Sequence, residues 1–327
     1  MFARPDFDHV LGPEDHCSSA LETTKLARSI FVMPECGYSC CKQSLPARDL
    51  PAILCPSRVT RACATEPIGT SIVGDMSAEK VTIIAEIGVN HNGSLDLAKE
   101  LVARAAEAGA DYAKFQTFSA AELASPEAEL AHYQQKAFSS SRQRDLLAAL
   151  ELGKADFDEL ISFCRQEEIG FLTTAHDLKS AHFVLALNSD FIKVPSGDVT
   201  NLPFLRLVAQ HRAHVLLSTG ASEEAEVGAA IDALESSGKP RANITVMQCT
   251  TEYPAPVDEA NLLAMVEMGA LFGVGIGYSD HTLGHEAAIA AAALGCTVLE
   301  KHITLDRMME GPDHSASLEP LQFTEMV

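Results

Sequence analysis

From Val81 onward, short apolar runs alternate with longer segments whose apolar residues recur at helical spacing. Eight runs read as strands: Thr82–Ile87, Tyr112–Gln116, Phe171–Thr174, Phe191–Val194, Val215–Ser218, Ile244–Gln248, Gly273–Gly277 and Thr297–Lys301. After the first run, Leu95, Ala98, Leu101, Val102 and Ala105 share one helical face. Ser94 reads as the N-cap of that helix, with Asp96 in its first turn. Asp156 and Glu159 have the spacing of a capping box, and Asn201 and Ser222 can cap later helices. Gly109, Gly170 and Gly295 stand where helices end and strands begin, so left-handed backbone is expected there. Eight strand–helix units in about 250 residues predict an α/β fold, a (β/α)8 TIM barrel. A doubly wound sheet is the rival, but no G-x-G-x-x-G follows a strand. The connection from Thr117 to about Ala155 is long, and it lies on the face where the strands end.

The pattern fails ahead of Met76. Residues 1–75 carry seven prolines and six of the nine cysteines, and no sustained helical or strand period. No positive start precedes an apolar core, so they are not a signal peptide, and nine acids are too many for a transit peptide. Cys40 and Cys41 stand in no zinc spacing. The reading is an unstructured or non-native extension over 1–75, with Met76 as the natural start, and a barrel over 76–327. Composition narrows the function classes. At 47% hydrophobic and 21% charged residues the chain has material for a large core. A net charge of −21 argues against nucleic acid or an anionic membrane as the main partner. There is no run of 18 apolar residues to span a bilayer. From residue 76 the chain reads like a cytoplasmic enzyme.

In a barrel, chemistry collects just past the C-terminal ends of the strands. Those ends carry Glu86, Lys114 with Gln116, Thr174 with His176, and Lys193 with Ser196 and Asp198. Next come Ser218-Thr219-Gly220, Gln248 with Thr250 and Tyr253, Ser279-Asp280-His281, and Glu300-Lys301-His302. Imidazoles at His281 and His302, on adjacent strand ends, suit one weakly held catalytic divalent metal, with Asp280 and Glu300 orienting the ligands. Lys114 and Lys193, beside the hydroxyls of Ser196, Ser218 and Ser279, suit a phosphate or carboxylate. The Ser218-Thr219-Gly220 turn can offer backbone N–H groups to the same anion. Glu86 can act as a general base or accept a sugar hydroxyl. The rival chemistry is a Schiff base on one of the lysines.

Several ordered strings resemble the sialic acid synthase (N-acetylneuraminate synthase) family. They are AEIGVNHNG at Ala85–Gly93, KFQT at Lys114–Thr117, KVPSGD at Lys193–Asp198, LSTG at Leu217–Gly220 and CTTEYPAP at Cys249–Pro256. GYSDHT at Gly277–Thr282, EKHITLD at Glu300–Asp306 and GPDHSASLEP at Gly311–Pro320 complete the set. The resemblance covers about Val81 to Val327 and does not extend to residues 1–75. It implies condensation of phosphoenolpyruvate with an open-chain N-acetylated mannosamine-type hexosamine, giving a nine-carbon 2-keto acid of N-acetylneuraminate or legionaminate type. It implies Mn2+ or Mg2+ on His281 and His302. Lys114, Lys193, Ser196, Ser218 and Ser279 match phosphoenolpyruvate-holding positions. Gln116, Asp198, Tyr253 and Asp313 match positions near the sugar. Glu86, Lys114, Lys193 and Asp280 are the expected catalytic set.

The chain departs from the family at Thr174-Ala175-His176, at Asp198 where glutamate is common, and at the paired Thr250 and Thr251. The family continues through the eighth helix into a small antifreeze-like domain that reaches over a partner's site. Here the eighth helix is expected just to begin, so the resemblance implies a homodimer weakened without that domain. It leaves open a binding-only paralogue or fragment that keeps phosphoenolpyruvate and metal binding without turnover.

Overall fold

Strand ladders and the helices between them follow the expected alternation. The computed structural model describes residues 80–129 and 142–327. The expectations for residues 1–75, their cysteines and Met76 lie outside the described residues, as does the middle of the connection after the second strand. The first half runs β1 (Thr82–Gly88), α1 (Leu95–Glu107), β2 (Tyr112–Thr117), α2 (Ala120–Leu123), α3 (Gln143–Leu150), α4 (Lys154–Gln166), β3 (Gly170–Ala175), α5 (Leu178–Ala186) and β4 (Phe191–Val194). Then come α6 (Leu202–Ala209), β5 (His214–Ser218), α7 (Glu224–Ser236), β6 (Ile244–Gln248), α8 (Leu262–Phe272), β7 (Gly275–Asp280), α9 (Glu286–Ala293), β8 (Val298–His302) and α10 (Pro320–Met326). The eight strands close in sequence order, and β8 returns in parallel to β1. This is the (β/α)8 barrel that the periodicity predicts.

Period-two alternation sorts each strand into an inward and an outward set. Ile84, Leu172, Leu216, Met247 and Val298 meet inside the barrel as an apolar floor. Two larger apolar layers lie between strands and helices. One includes Ala98, Leu101, Val102 and Ala105 of α1, the face read from the sequence, together with Phe323 and Met326 of α10. The other joins β4, β5 and β6 to α6 and α7. No helix among the described residues is long and apolar enough to cross a membrane.

Several local expectations change. Ser94 does cap α1, accepting from the Leu97 N–H, and Asn201 caps α6 through the Phe204 N–H. Asp156 does not precede its helix. It stands inside the first turn of α4 and accepts from the Gly153 N–H. Ser222 donates to the Gly220 carbonyl instead of capping, and Glu226 accepts from the Glu223 N–H at the start of α7. Gly109 and Gly295 are left-handed, at φ +88° and +93°. Gly170 instead opens β3, and the left-handed residue of that connection is Glu168, at φ +57°. The seventh strand starts two residues later than predicted and runs to Asp280, because Gly273, at φ +64°, still terminates α8. Ser279 and Asp280 therefore belong to the strand, and their faces alternate.

The long connection after β2 is partly helical. Leu146, Leu147 and Leu150 of α3 pack with Ala120 of α2 and with Val89 and Phe118 beside the barrel mouth. The turn after β1 makes this contact close. A Cβ on Gly93 would sit 2.2 Å from the Ala149 carbonyl oxygen, and φ there is +75°, so only glycine fits. The same turn ties down the far end of the chain. Asn90 Nδ2 donates to the Ile303 carbonyl and to Ser317 Oγ, and Asn92 Nδ2 donates to the Glu310 carbonyl. Ser317 Oγ in turn donates to the Asp313 carbonyl. The segment after β8 is thereby fixed over the mouth with Asp313 in it.

Candidate active site

Directly above the apolar floor, the inward positions turn polar. Ladder pairs place Glu86 beside Lys114, Thr174 beside Lys193, and Ser279 beside Glu300. With Gln116, Ser196, Asp198, Ser218, Tyr253, His281, His302 and Asp313 they line a cavity of about 290 Å³. Of the residues expected to act in catalysis or to hold substrate or metal, all but Asp280 line it, whereas Thr219, Gly220, Gln248, Thr250 and Lys301 at the strand ends do not.

Glu300 is the hub of this layer. Both of its carboxylate oxygens accept from Lys193 Nζ at 2.8 Å, Lys114 Nζ lies 3.6 Å away, and Ser279 Oγ donates at 3.1 Å. Lys114 Nζ also pairs with Glu86 at 2.8 Å and donates to Thr174 Oγ1. The four charged side chains are at most 5% exposed. Burial penalises all of these charges, and their neighbours decide the outcome. Burial opposes ionisation of Glu300, but Lys114 and Lys193 outweigh it and hold its carboxyl down at about 2. Glu86 has the weaker support. Burial lifts it to about 7 against the pull of Lys114, and Gln116 Nε2 donates to its other oxygen. Burial lowers Lys193 from its ordinary value, whereas Glu300 and Glu86 overcome burial and raise Lys114. The layer thus sets two lysines against one firm carboxylate and one carboxyl that exchanges its proton near neutral pH. Ser218 Oγ is buried here without a hydrogen-bond partner among the described residues. An orphaned hydroxyl beside two lysines is what a ligand anion would satisfy.

The two histidines stand next to this layer with ring centroids 5.7 Å apart. His281 Nδ1 donates to the Thr250 carbonyl, which leaves Nε2 with its lone pair near Tyr253 Oη at 2.9 Å. His302 Nδ1 is buried and has no partner among the described residues. Burial pushes both imidazoles down to about 3, so both are neutral. Neutral rings, one with a fixed tautomer and one with an orphaned nitrogen, fit a divalent cation. Among the described residues no group of three or more His, Cys, Asp or Glu side chains gathers as a metal centre. A cation held by these two rings alone would exchange readily, unlike one in a four-ligand structural site.

Two expectations are corrected. Asp280 points away from the cavity, because period two sends Ser279 and His281 inward and Asp280 outward. Its Oδ1 accepts from the N–H and Oγ1 of Thr282, and its Oδ2 accepts from Lys301 Nζ at 2.8 Å. Both partners of that pair are fully buried, so Asp280 holds the turn that carries His281 and does not line the cavity. Asp280→Asn leaves the Lys301 charge unpaired and is expected to cost roughly 3 to 5 kcal/mol in chemical denaturation. Inorganic phosphate should still bind the folded variant about as well; lost binding at unchanged stability would restore Asp280 to the catalytic set. The second correction concerns the Ser218-Thr219-Gly220 turn, whose N–H groups are not free for an anion. The Thr219 N–H donates to the Met247 carbonyl and the Gly220 N–H to Ser196 Oγ. Gly220 is required for closeness: a Cβ there would lie 2.4 Å from Thr251 Oγ1 and 2.8 Å from Cys249 Sγ.

The sequence reading gave Glu300 only an orienting role, passed over Leu123, and gave no site role to Cys249 of the CTTEYPAP string or to Thr251, noted only as a departure from the family; all three also line the cavity. His176, at the departure after the third strand, lines it too, and burial holds its ring well below the ordinary value.

Comparison with known proteins agrees with this arrangement. The NeuB family model matches residues 101–327. The chain is 46% identical over 243 residues to the N,N'-diacetyllegionaminic acid synthase of Campylobacter jejuni, covering 74% of this chain and 73% of that protein. It is 37% identical over 246 residues to the N-acetylneuraminate-9-phosphate synthase of Mus musculus, covering 75% of this chain and 68% of that one. Among solved structures, the N-acetylneuraminic acid synthetase of Leptospira borgpetersenii, crystallised with citrate, superposes with a TM-score of 0.68 at 30% identity. That likeness covers 76% of this chain and 81% of the other. A barrel whose polar layer is built from the motif residues, and relatives that match along most of their own length, place this chain in the NeuB family.

Proposed function

We propose that this chain condenses phosphoenolpyruvate with an open-chain acetylated amino sugar to give a nonulosonic acid. Carbon C3 of phosphoenolpyruvate bonds to the aldehyde carbon, water adds at C2, and inorganic phosphate leaves by C–O cleavage. The carrying observation is the convergence of Lys114 and Lys193, from β2 and β4, on Glu300 inside a cavity that also holds two neutral imidazoles.

In this reading Lys114 and Lys193 hold the phosphate and carboxylate of phosphoenolpyruvate, with Ser279 and the orphaned Ser218 hydroxyl completing the donors. Ser196, just after β4, supports them and accepts from the Gly220 N–H. Glu86 exchanges its proton near neutral pH, which suits the group that activates the attacking water at C2. Gln116 keeps its amide on that carboxyl. Asp198, Tyr253 and Asp313, on three different loops over the mouth, are placed for sugar hydroxyls. The lining sets two lysines against four carboxylates, so it is short of positive charge for an anionic substrate. His281 and His302 would hold Mn2+ or Mg2+, which when bound supplies that charge and polarises the aldehyde. A Schiff base is the weaker reading, because both oxygens of Glu300 hold the Lys193 ammonium.

Purified protein with Mn2+, phosphoenolpyruvate and N-acetylmannosamine should release phosphate and a 2-keto acid in equal amounts. Folded protein that releases no phosphate with any acetylated mannosamine would falsify the proposal and leave the binding-only reading.

A further inference from the structure

We infer that the acceptor is uncharged at the end away from its aldehyde: the chain takes an unphosphorylated acetylated amino sugar and rejects the sugar phosphate. This rests on the condensation proposed above and adds the acceptor class. The relatives divide on this point. The Campylobacter protein is named for a diacetylated product, the mouse protein for a 9-phosphate. Phosphoenolpyruvate loses its own phosphate in the reaction, so a phosphate retained on the product must have entered with the sugar.

A dianionic phosphate at the far end of the sugar needs a cation of its own. Lys114 and Lys193 are the only lysines or arginines among the described lining residues. Both lie deep on strands, and both already pair with Glu86 or Glu300. The part of the lining that comes from loops over the mouth is different in kind. It includes Leu123 from α2, then Pro195, Gly197 and Asp198 from the turn after β4, and Asp313 from the segment after β8. Asp198 and Asp313 offer carboxylate acceptors there and Leu123 and Pro195 an apolar wall, with no cation beside them among the described residues. Sugar hydroxyls can donate to the two carboxylates. A phosphate would meet like charge and lose its water without compensation, and this selects against it by repulsion.

The test compares kcat/KM for N-acetylmannosamine and its 6-phosphate, with Mn2+ and saturating phosphoenolpyruvate, in the full chain. We expect the neutral sugar to be favoured by about 100-fold or more. Gly197→Lys adds a cation to this part of the lining where a side chain has room, since a Cβ there meets nothing within 4 Å. This variant should narrow the preference by about tenfold. Equal or better use of the 6-phosphate by the natural chain overturns the acceptor assignment while leaving the condensation intact. An unmoved ratio in Gly197→Lys, with circular dichroism showing it folded, overturns the assignment of selectivity to these residues. Absence of phosphate release with both sugars removes the condensation itself, and this inference with it.

Discussion

Lys193→Met should lower kcat/KM for phosphoenolpyruvate by roughly 10² to 10⁴, the loss expected when one member of a buried, hydrogen-bonded charge set is removed. Lys193 supplies two of the contacts that keep Glu300 ionised at about 2. Without it Glu300 keeps only Lys114, at 3.6 Å, and the Ser279 hydroxyl. The site then loses a positive charge that would face the substrate, and the remaining carboxylate becomes a repulsive neighbour. Both changes weaken ground-state binding, so the loss should appear in the calorimetric affinity for phosphoenolpyruvate as well as in turnover. Methionine keeps the length and the apolar stem, which separates the charge from its packing. An affinity within tenfold of the natural protein would show that Lys193 serves the fold rather than the substrate. Lys193→Arg is a poor rescue, because a planar guanidinium fork does not reproduce the single ammonium that both Glu300 oxygens share.

The barrel was legible because its two periods are clean. Alternating strands and the 3.6-residue face of α1 left little choice of architecture, and strand ends in a barrel face one way. The cavity lining followed from that, since residues far apart in sequence must meet at one mouth. What was missed could have been read from the same alternation. In β8 the order Val298, Leu299, Glu300, Lys301, His302 puts Glu300 inward with His302, and Lys301 outward. At the end of β7, Ser279 and the following His281 fall inside and Asp280 outside. A cluster of polar residues at a strand end attracts a catalytic reading for all its members, but alternate ones face the helices. The Asp280–Lys301 pair is such a back-side contact. The turn at Gly220 was a different kind of error. Its sequence suggests free N–H groups, but Ser196 and Met247 reach it from 24 and 28 residues away. No local pattern encodes such distant partners. Helix caps moved by one to three residues for the same reason, because tertiary packing decides which turn comes first.

Replacing Glu86 should remove a pH dependence of phosphoenolpyruvate binding. Burial raises this carboxyl from 4.5 to about 7, so it is mostly neutral at pH 6 and mostly ionised at pH 8. Once ionised, it takes up the charge of Lys114, which it meets at 2.8 Å, and stands against an entering anion. Affinity for phosphoenolpyruvate should therefore fall as pH rises through 7. In Glu86→Gln it should not fall for this reason. The ratio of the two affinities cancels the titration of the ligand. We expect it to be near one at pH 6 and to favour the variant by about tenfold or more at pH 8.5, as a close like charge in a partly desolvated site requires. Stability gives an independent reading of the same group. Between 4.5 and about 7 the folded chain keeps a proton that the unfolded chain has released, so this carboxyl lowers stability as pH rises through that window. Burial of His91, held down at about 4, and of His281 and His302, at about 3, acts with the opposite sign, because the unfolded imidazoles bind protons that the folded ones do not. The natural protein shows only the sum. The difference in unfolding free energy between it and Glu86→Gln isolates the carboxyl, and that difference should move in favour of the variant from pH 4.5 to pH 7 and then level off. A flat difference, together with an affinity ratio that does not change with pH, would mean that Lys114 holds Glu86 ionised throughout. Glu86 would then stand as a carboxylate able to take a proton from the attacking water over the whole range.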